Sequence, residues 1–252
     1  MSKSKSTQEL NEHKELALKK MERYLTELIT SEDSRDNGKA DKLCYWLKDW
    51  MTFLEFEKEF SPQSLRRYKR GEIIKVHLGF NVGSEEGGLH YAVVLDKNNA
   101  KSSPVITIVP LTSVKPHTDT QHLRAGNIFL GNELFTNLNS KVSMIDRNLK
   151  SEIDELKSLT DELTAENANE QICTINTKLS AANRELDLLR KMRAEILKMK
   201  CGSIALTNQI TTVSKIRIYD PKTDHDILSG IKLSNEKLDL IDSEIRNKFT
   251  NL

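Results

Sequence analysis

The sequence predicts an α+β protein. A small β-barrel is preceded by helices, interrupted by an antiparallel helical hairpin and followed by a terminal helix. Three observations carry this reading. The hydrophobic period changes from helical to alternating near Tyr68. Short β-branched runs then recur at close spacing, which favours a barrel over a parallel α/β sheet. Between them lies a stretch with heptad texture. The corresponding layout is a helical extension over 1–65, a barrel over 66–136 and 201–252, and an inserted coiled-coil hairpin over 137–200.

The elements follow in order. Met21, Leu25, Leu28 and Ile29 have helical spacing, and SEDSRDNG (31–38) reads as a polar break ending in a glycine stop. Leu43, Trp46, Leu47, Trp50, Met51 and Leu54 form an i, i+3, i+4 stripe, and Ser61-Pro62 ends that helix. Ile74, Val76 and Leu78 alternate with Ile73, Lys75 and His77 as in a strand. The segments 91–95, 105–111, 127–130, 203–206, 210–213 and 216–218 read as further strands bounded by turn residues. Val142, Ile145, Leu149, Leu156, Leu159 and Leu163 make one heptad seam, with Glu152 as its polar intruder. Ile172, Ile175, Leu179, Ala182, Leu186, Leu189 and Ile196 make a second, interrupted by Arg193. The registers do not join, and the slip over AENANEQ (165–171) predicts a turn between two helices of about 25 residues, each about 38 Å long, projecting from the barrel. A single stuttered helix is the alternative. Leu238, Ile241, Ile245 and Phe249 mark the terminal helix, with Ser234 as its N-cap.

Composition narrows the function. The 252 residues hold 38 Lys+Arg against 37 Asp+Glu, a net charge of +1, which excludes a grossly polybasic protein but not a local basic groove. No apolar run approaches the roughly 20 residues of a membrane-spanning helix, and no secretory leader is visible. Cys44, Cys173 and Cys201 are far apart and form no CxxC pair, so neither a disulfide framework nor a zinc site is indicated and a reducing cytoplasm is expected. No cofactor is expected.

RGEIIKVHLGFNVGSEEGGLHYAVVL (70–95) is the most informative stretch. Its plan is strand, glycine-rich loop, strand. No GK[ST] follows and no helix opens, so it is not a Walker loop. The plain reading is a flexible hairpin loop; the functional one is a loop whose N–H groups and Ser84 hold a phosphodiester. His90 lies at the loop exit, as a structural ring or as a proton-transfer group. Thr112 and Ser113 end a strand, as turn formers or as donors to phosphate. Arg66-Arg67-Tyr68-Lys69-Arg70 is either a solvated linker or a track for RNA. Lys75, Lys115, Lys215 and Arg217 are candidate groove cations. HTDTQH (117–122) offers two His and an Asp but lacks a ligand signature, and a surface loop is expected there. The Trp46/Trp50 stripe is expected to pack on the barrel or on a dimer mate, with a binding surface for a partner protein as the alternative.

RGEIIKVHLG, VGSEEGG, SPVITIVPLTS and NQITTVSKIRI (208–218), in that order, resemble the MazF/PemK toxin family. The resemblance covers about 70–136 and 201–250. It implies an SH3-like barrel, usually homodimeric, and metal-independent cleavage of single-stranded RNA by attack of the 2′-OH. It also implies a cognate antitoxin that covers the RNA groove. By this reading His90 and Thr112 are the catalytic pair, with Ser84, Ser113, Lys75, Gln209, Thr211 and Lys215 as RNA or phosphate ligands. Two positions depart from the pattern: His90 stands where the family commonly has Arg, and Thr211 stands where it often has Arg. Two bidentate phosphate ligands are thereby lost. Either His90 takes over proton transfer, with Glu85, Glu86 or His77 as partner, or this copy is weak or does not cleave. The alternative of another class is an inactive barrel that serves as an RNA- or protein-binding scaffold through its long helices. The hairpin is then a dimerisation or docking arm.

Overall fold

The computed structural model describes residues 5–162, 168–200 and 202–251. Two helices lead, α1 (Thr7–Ile29) and α2 (Ser34–Phe56). Ser6 and Glu9 close a capping box on α1. The break between these helices is shorter than the polar segment suggested. The Asp33 carboxylate accepts from the Arg35 N–H at 2.8 Å, so α2 begins at Ser34 and Gly38 lies inside it. Asn37 returns to bond the carbonyls of Leu28 and Ser31 at the end of α1.

Seven strands follow: β1 (Ile73–His77), β2 (Leu89–Val94), β3 (Val105–Ser113), β4 (Asn127–Gly131), β5 (Ser203–Leu206), β6 (Thr211–Ser214) and β7 (Ile218–Asp220). All their pairings are antiparallel, and the order is β4-β5-β3-β2-β1-β7, with β6 also on β3. β5 and β6 behave as one kinked strand along β3: Leu111 pairs with Ala205, and Ile108 pairs with Thr211. A 3₁₀ turn at Thr207–Gln209 makes the kink. The strand expected at 216–218 begins two residues later, as β7 at Ile218. Lys215–Arg217 is a second 3₁₀ turn that swings the chain from β6 to β7, on the far side of β1. The result is an open, curled sheet of the expected barrel type.

β1 shows why simple alternation was only half visible there. Ile73 and Ile74 are both fully buried, because each face of the strand meets a core. Ile74, Val76, Ala92, Val94, Ile106, Ile108, Val213 and Ile218 fill the inside of the curl. Ile73, Val93, Val109 and Leu111 face outward into a second core with the helices.

Those helices are α3 (Glu133–Asp161), α4 (Ala168–Lys198) and α5 (Asn235–Phe249). α3 and α4 have 29 and 31 residues, longer than expected, and α4 starts within the predicted turn. The remainder of that turn, Leu163 and Cys201 lie outside the described residues. Arg193–Asp146 and Lys178–Glu155 ion pairs show the antiparallel register, which excludes a single stuttered helix. The base of the hairpin does not merely project. Leu134, Leu138 and Met192 are buried in the second core beside Leu238 and Ile241 of α5. The Lys141 ammonium donates to the carbonyls of Asp226, Ile227 and Ser229 at 2.8–3.0 Å. The seam of α4 is also rotated from the expected one: Met192 is buried, whereas Leu179 and Ile172 are exposed. Ala182, Leu186, Leu189, Met192 and Ile196 pack into the core, whereas Arg193 is exposed and so interrupts nothing.

Candidate functional site

The eight residues predicted for the site do not form one cluster. Six of them are divided between two grooves, His90 stands beside the first, and Lys215 lies in neither.

The first groove, about 640 Å³, lies between the glycine-rich loop and β6, and is lined by Ser84, Glu85, Glu86, Gln209, Thr211 and Arg217, among others. The loop is held rather than loose. Leu78 N–H donates to the Gly88 carbonyl, and Gly88 N–H to the Gly79 carbonyl, each at 2.7 Å. Gly87 is needed for this approach, since a Cβ there would stand 2.8 Å from the Gly79 oxygen. Gln209 fastens the loop tip: its Oε1 accepts from Glu86 N–H at 2.6 Å and its Nε2 donates to the Ser84 carbonyl at 3.2 Å. Gln209 thus acts on the loop, and Ser84 and Thr211 are among the other residues that line the groove.

His90 stands beside this groove, half-buried on β2. Its Nδ1 lies 3.2 Å from the carbonyl of Leu111, the residue before Thr112. A carbonyl only accepts, so Nδ1 is the donor there and Nε2 is the nitrogen free for proton exchange. Nε2 faces Glu86 Oε2 at 3.4 Å. Among the three partners considered for His90, this geometry favours Glu86. Glu85 is turned to the N–H of Val82 at 3.2 Å. His77 is enclosed: Nδ1 accepts from Gly79 N–H at 3.0 Å, Nε2 lies 3.6 Å from Asp49, and the ring stacks on Trp46 with centroids 4.7 Å apart. Burial holds His77 below the ordinary histidine value, against the pull of Asp49.

Arg217 is a residue whose placement the sequence did not disclose. Its Nε donates to the His77 carbonyl at 2.7 Å, and its guanidinium lies 5.5 Å from the Trp46 ring. Burial lowers its pKa. The signal available was weak: one strand-borne cation among several.

The second groove, about 290 Å³, lies on the outer face of the sheet under the end of α4, and is lined by Lys75, Thr112, Ser113, Glu195, Lys198 and Ser203, among others. Lys75 is not a free cation there. Its ammonium is paired with Glu195, which also accepts from the Tyr91 hydroxyl. Burial opposes ionisation of Glu195, but the bonds from Lys75 and Tyr91 outweigh it and hold the carboxyl below its ordinary value. Burial and Glu195 together push the Tyr91 hydroxyl up.

Two expectations fail on burial. Lys215 lies in neither groove: it is buried, and its ammonium donates to the Ala100 carbonyl at 3.0 Å, 5.9 Å from the Tyr68 ring. The 66–70 run is not a free linker: Tyr68, Arg66 and Arg70 are held by the fold, while Arg67 and Lys69 are exposed. Tyr68 is buried and donates to the Pro221 carbonyl at 2.7 Å. Arg66 pairs with Glu72 and Asp224, and Arg70 with Asp242. In the 117–122 loop His122 pairs with Asp119 at the surface. No group of three or more metal-ligating side chains occurs among the described residues, and no described helix is long and apolar enough to cross a membrane.

Residues 69–166 match the family described as the PemK-like, MazF-like toxin of type II toxin–antitoxin systems. The matched stretch holds β1 to β4, the glycine-rich loop, His90 and Thr112, and runs into α3. The likeness read from the sequence is therefore shown over 70–136; the match, which is under half of the chain, also takes in all of α3, most of which that reading left outside, and does not reach 201–250. No curated protein matches the chain.

Proposed function

We propose that this protein is the toxin of a toxin–antitoxin pair and an endoribonuclease that cleaves single-stranded RNA without a metal ion. The observation that carries the reading is the His90–Glu86 pair at the edge of a groove lined by Ser84 and Thr211. In-line cleavage of RNA by its own 2′-OH needs proton removal from O2′, proton delivery to O5′ and stabilisation of phosphate charge. The bond from O2′ to phosphorus forms as the bond from phosphorus to O5′ breaks, leaving a 2′,3′-cyclic phosphate and a 5′-OH. The pair holds one proton between Nε2 of His90 and Oε2 of Glu86: the member without it removes the proton from O2′, and the other delivers its own to O5′. Ser84 and Thr211, which line that groove, supply hydroxyls to the phosphate. A cognate antitoxin covers the groove, and two copies of the chain form a homodimer.

The test is incubation with long single-stranded RNA in EDTA, followed by analysis of the fragment ends. Discrete fragments with cyclic phosphate ends, reduced about 10²- to 10⁴-fold in rate by His90→Ala, are expected. Glu86→Gln should remove one limb of the pH–rate profile. Intact RNA across varied sequence and pH would overturn the reading and shift weight to a binding scaffold.

A further inference from the structure

We propose that the N-terminal extension completes the RNA groove: Trp46 of α2 holds Arg217 in place as a ligand for a phosphodiester group of single-stranded RNA. The inference rests on the RNA-directed reading above and extends the site to residues outside the matched stretch, since neither α2 nor Arg217 lies within 69–166.

Four features of the structure converge. Arg217 lines the same groove as Ser84 and Thr211. It forms no ion pair with a carboxylate among the described residues; its hydrogen bond runs from Nε to the carbonyl of His77. An arginine shielded from water without a counter-charge is costly unless an anion arrives to meet it. The carboxylates nearest in the groove are already engaged, Glu86 with His90 and Glu85 with a backbone N–H, while Asp49 faces His77. The terminal nitrogens of Arg217 therefore remain as uncommitted donors beside two hydroxyls, a set that matches phosphate oxygens.

Trp46 accounts for the geometry. One indole face packs the His77 ring at 4.7 Å and the guanidinium lies 5.5 Å away, so the indole steadies both. Gly79 leaves the necessary room: a Cβ there would lie 3.0 Å from Arg217 and 3.1 Å from Trp46. Of the two guanidinium ligands that the resemblance implies and this chain lacks at 90 and 211, Arg217 restores one from a different position.

The experiment uses the full chain and a 2′-O-methyl RNA oligomer, which lacks the attacking hydroxyl and so reports binding without cleavage. Wild type, Arg217→Gln, Arg217→Lys, Trp46→Leu and Trp46→Phe are compared by fluorescence anisotropy across a salt series. Arg217→Gln should weaken binding about tenfold and reduce the slope of log K against log salt by about 0.7, one phosphate contact on a single strand. Trp46→Leu should weaken binding less, Trp46→Phe should retain most affinity, and Arg217→Lys should keep the slope with reduced affinity. In a Trp50→Phe background, RNA should change the fluorescence of the remaining tryptophan. Should Arg217→Gln fail to fold, Trp46→Leu and the fluorescence change carry the same decision. Wild-type affinity and slope in Arg217→Gln, or silent Trp46 fluorescence on saturation with RNA, would overturn the inference. Binding that behaves as expected with no cleavage of ordinary RNA would sink the nuclease reading alone.

Discussion

The two grooves of this protein contrast in how their charges are spent. In the first, beside the glycine-rich loop, Arg217 has no carboxylate partner among the described residues, and Ser84 and Thr211 line the groove with it. In the second, under α4, Lys75 is closed off by Glu195 and Tyr91. Both hold residue types suited to phosphate, but one presents them to solvent and the other uses its central cation to fasten the hairpin to the sheet. Residue type alone therefore does not mark a binding site; the presence or absence of a counter-charge does.

Three measurements sharpen this contrast beyond the loss expected for His90→Ala. The largest stability effect is expected at Lys75 and Glu195, whose side chains are 19% and 17% exposed. Glu195→Leu should cost about 2 kcal/mol by leaving the ammonium unpaired, and Lys75→Met with Glu195→Leu should recover most of it. Thermal or denaturant melts of the four corners of the cycle check this. RNA cleavage retained in the double variant would support a fastening role for the pair; cleavage lost there would return Lys75 to the substrate.

A smaller effect is expected inside the hairpin. Glu152 and Glu185 each have a buried carboxylate oxygen with no hydrogen-bond partner. Burial, and then Glu152, raises the pKa of Glu185. A carboxyl raised in the fold contributes stability that is present below the ordinary value near 4.3 and is lost as pH rises through the folded value. Glu185→Leu should accordingly stabilise the chain at neutral pH, with the gain shrinking in acid. An unchanged melting temperature at pH 7 would show that this layer is hydrated.

The smallest effect concerns α2. His77 is held below the ordinary histidine value by burial. The unfolded chain then binds more protons, so this contribution to stability is complete above about pH 6.5 and falls as the pH drops toward the folded value. Acidification from pH 7 to 5.5 should loosen the Trp46–His77 stack by less than about 1 kcal/mol, visible in tryptophan emission, and His77→Phe should flatten the response. An equal pH response in His77→Phe would remove His77 from the account.

Much of the architecture was legible in the chain. The alternation around Ile74 and Val76, the β-branched run of β3, the heptads of the hairpin and the cap at Ser234 are local patterns set by backbone period and sterics. The glycine-rich loop and His90 were also legible, because glycine spacing and a histidine at a strand start are one-dimensional signals. Less visible were the rotation of the α4 seam, which places Met192 inside and leaves Leu179 outside, and the kink that makes β5 and β6 one strand. Each depends on what packs opposite: the seam on α3 and the second core, the kink on pairing with β3.

The site divides the same way. Which residues are ionisable, and which strands carry them, follows from the sequence. Whether each charge is free does not, because pairing joins residues far apart along the chain: Lys75 with Glu195, Lys215 with Ala100, and Arg217 with Trp46. Coulombic and hydrogen-bonding energies fall steeply with distance and depend on exclusion of water. Folding decides both, so only the packed chain separates spent cations such as Lys75 and Lys215 from Arg217.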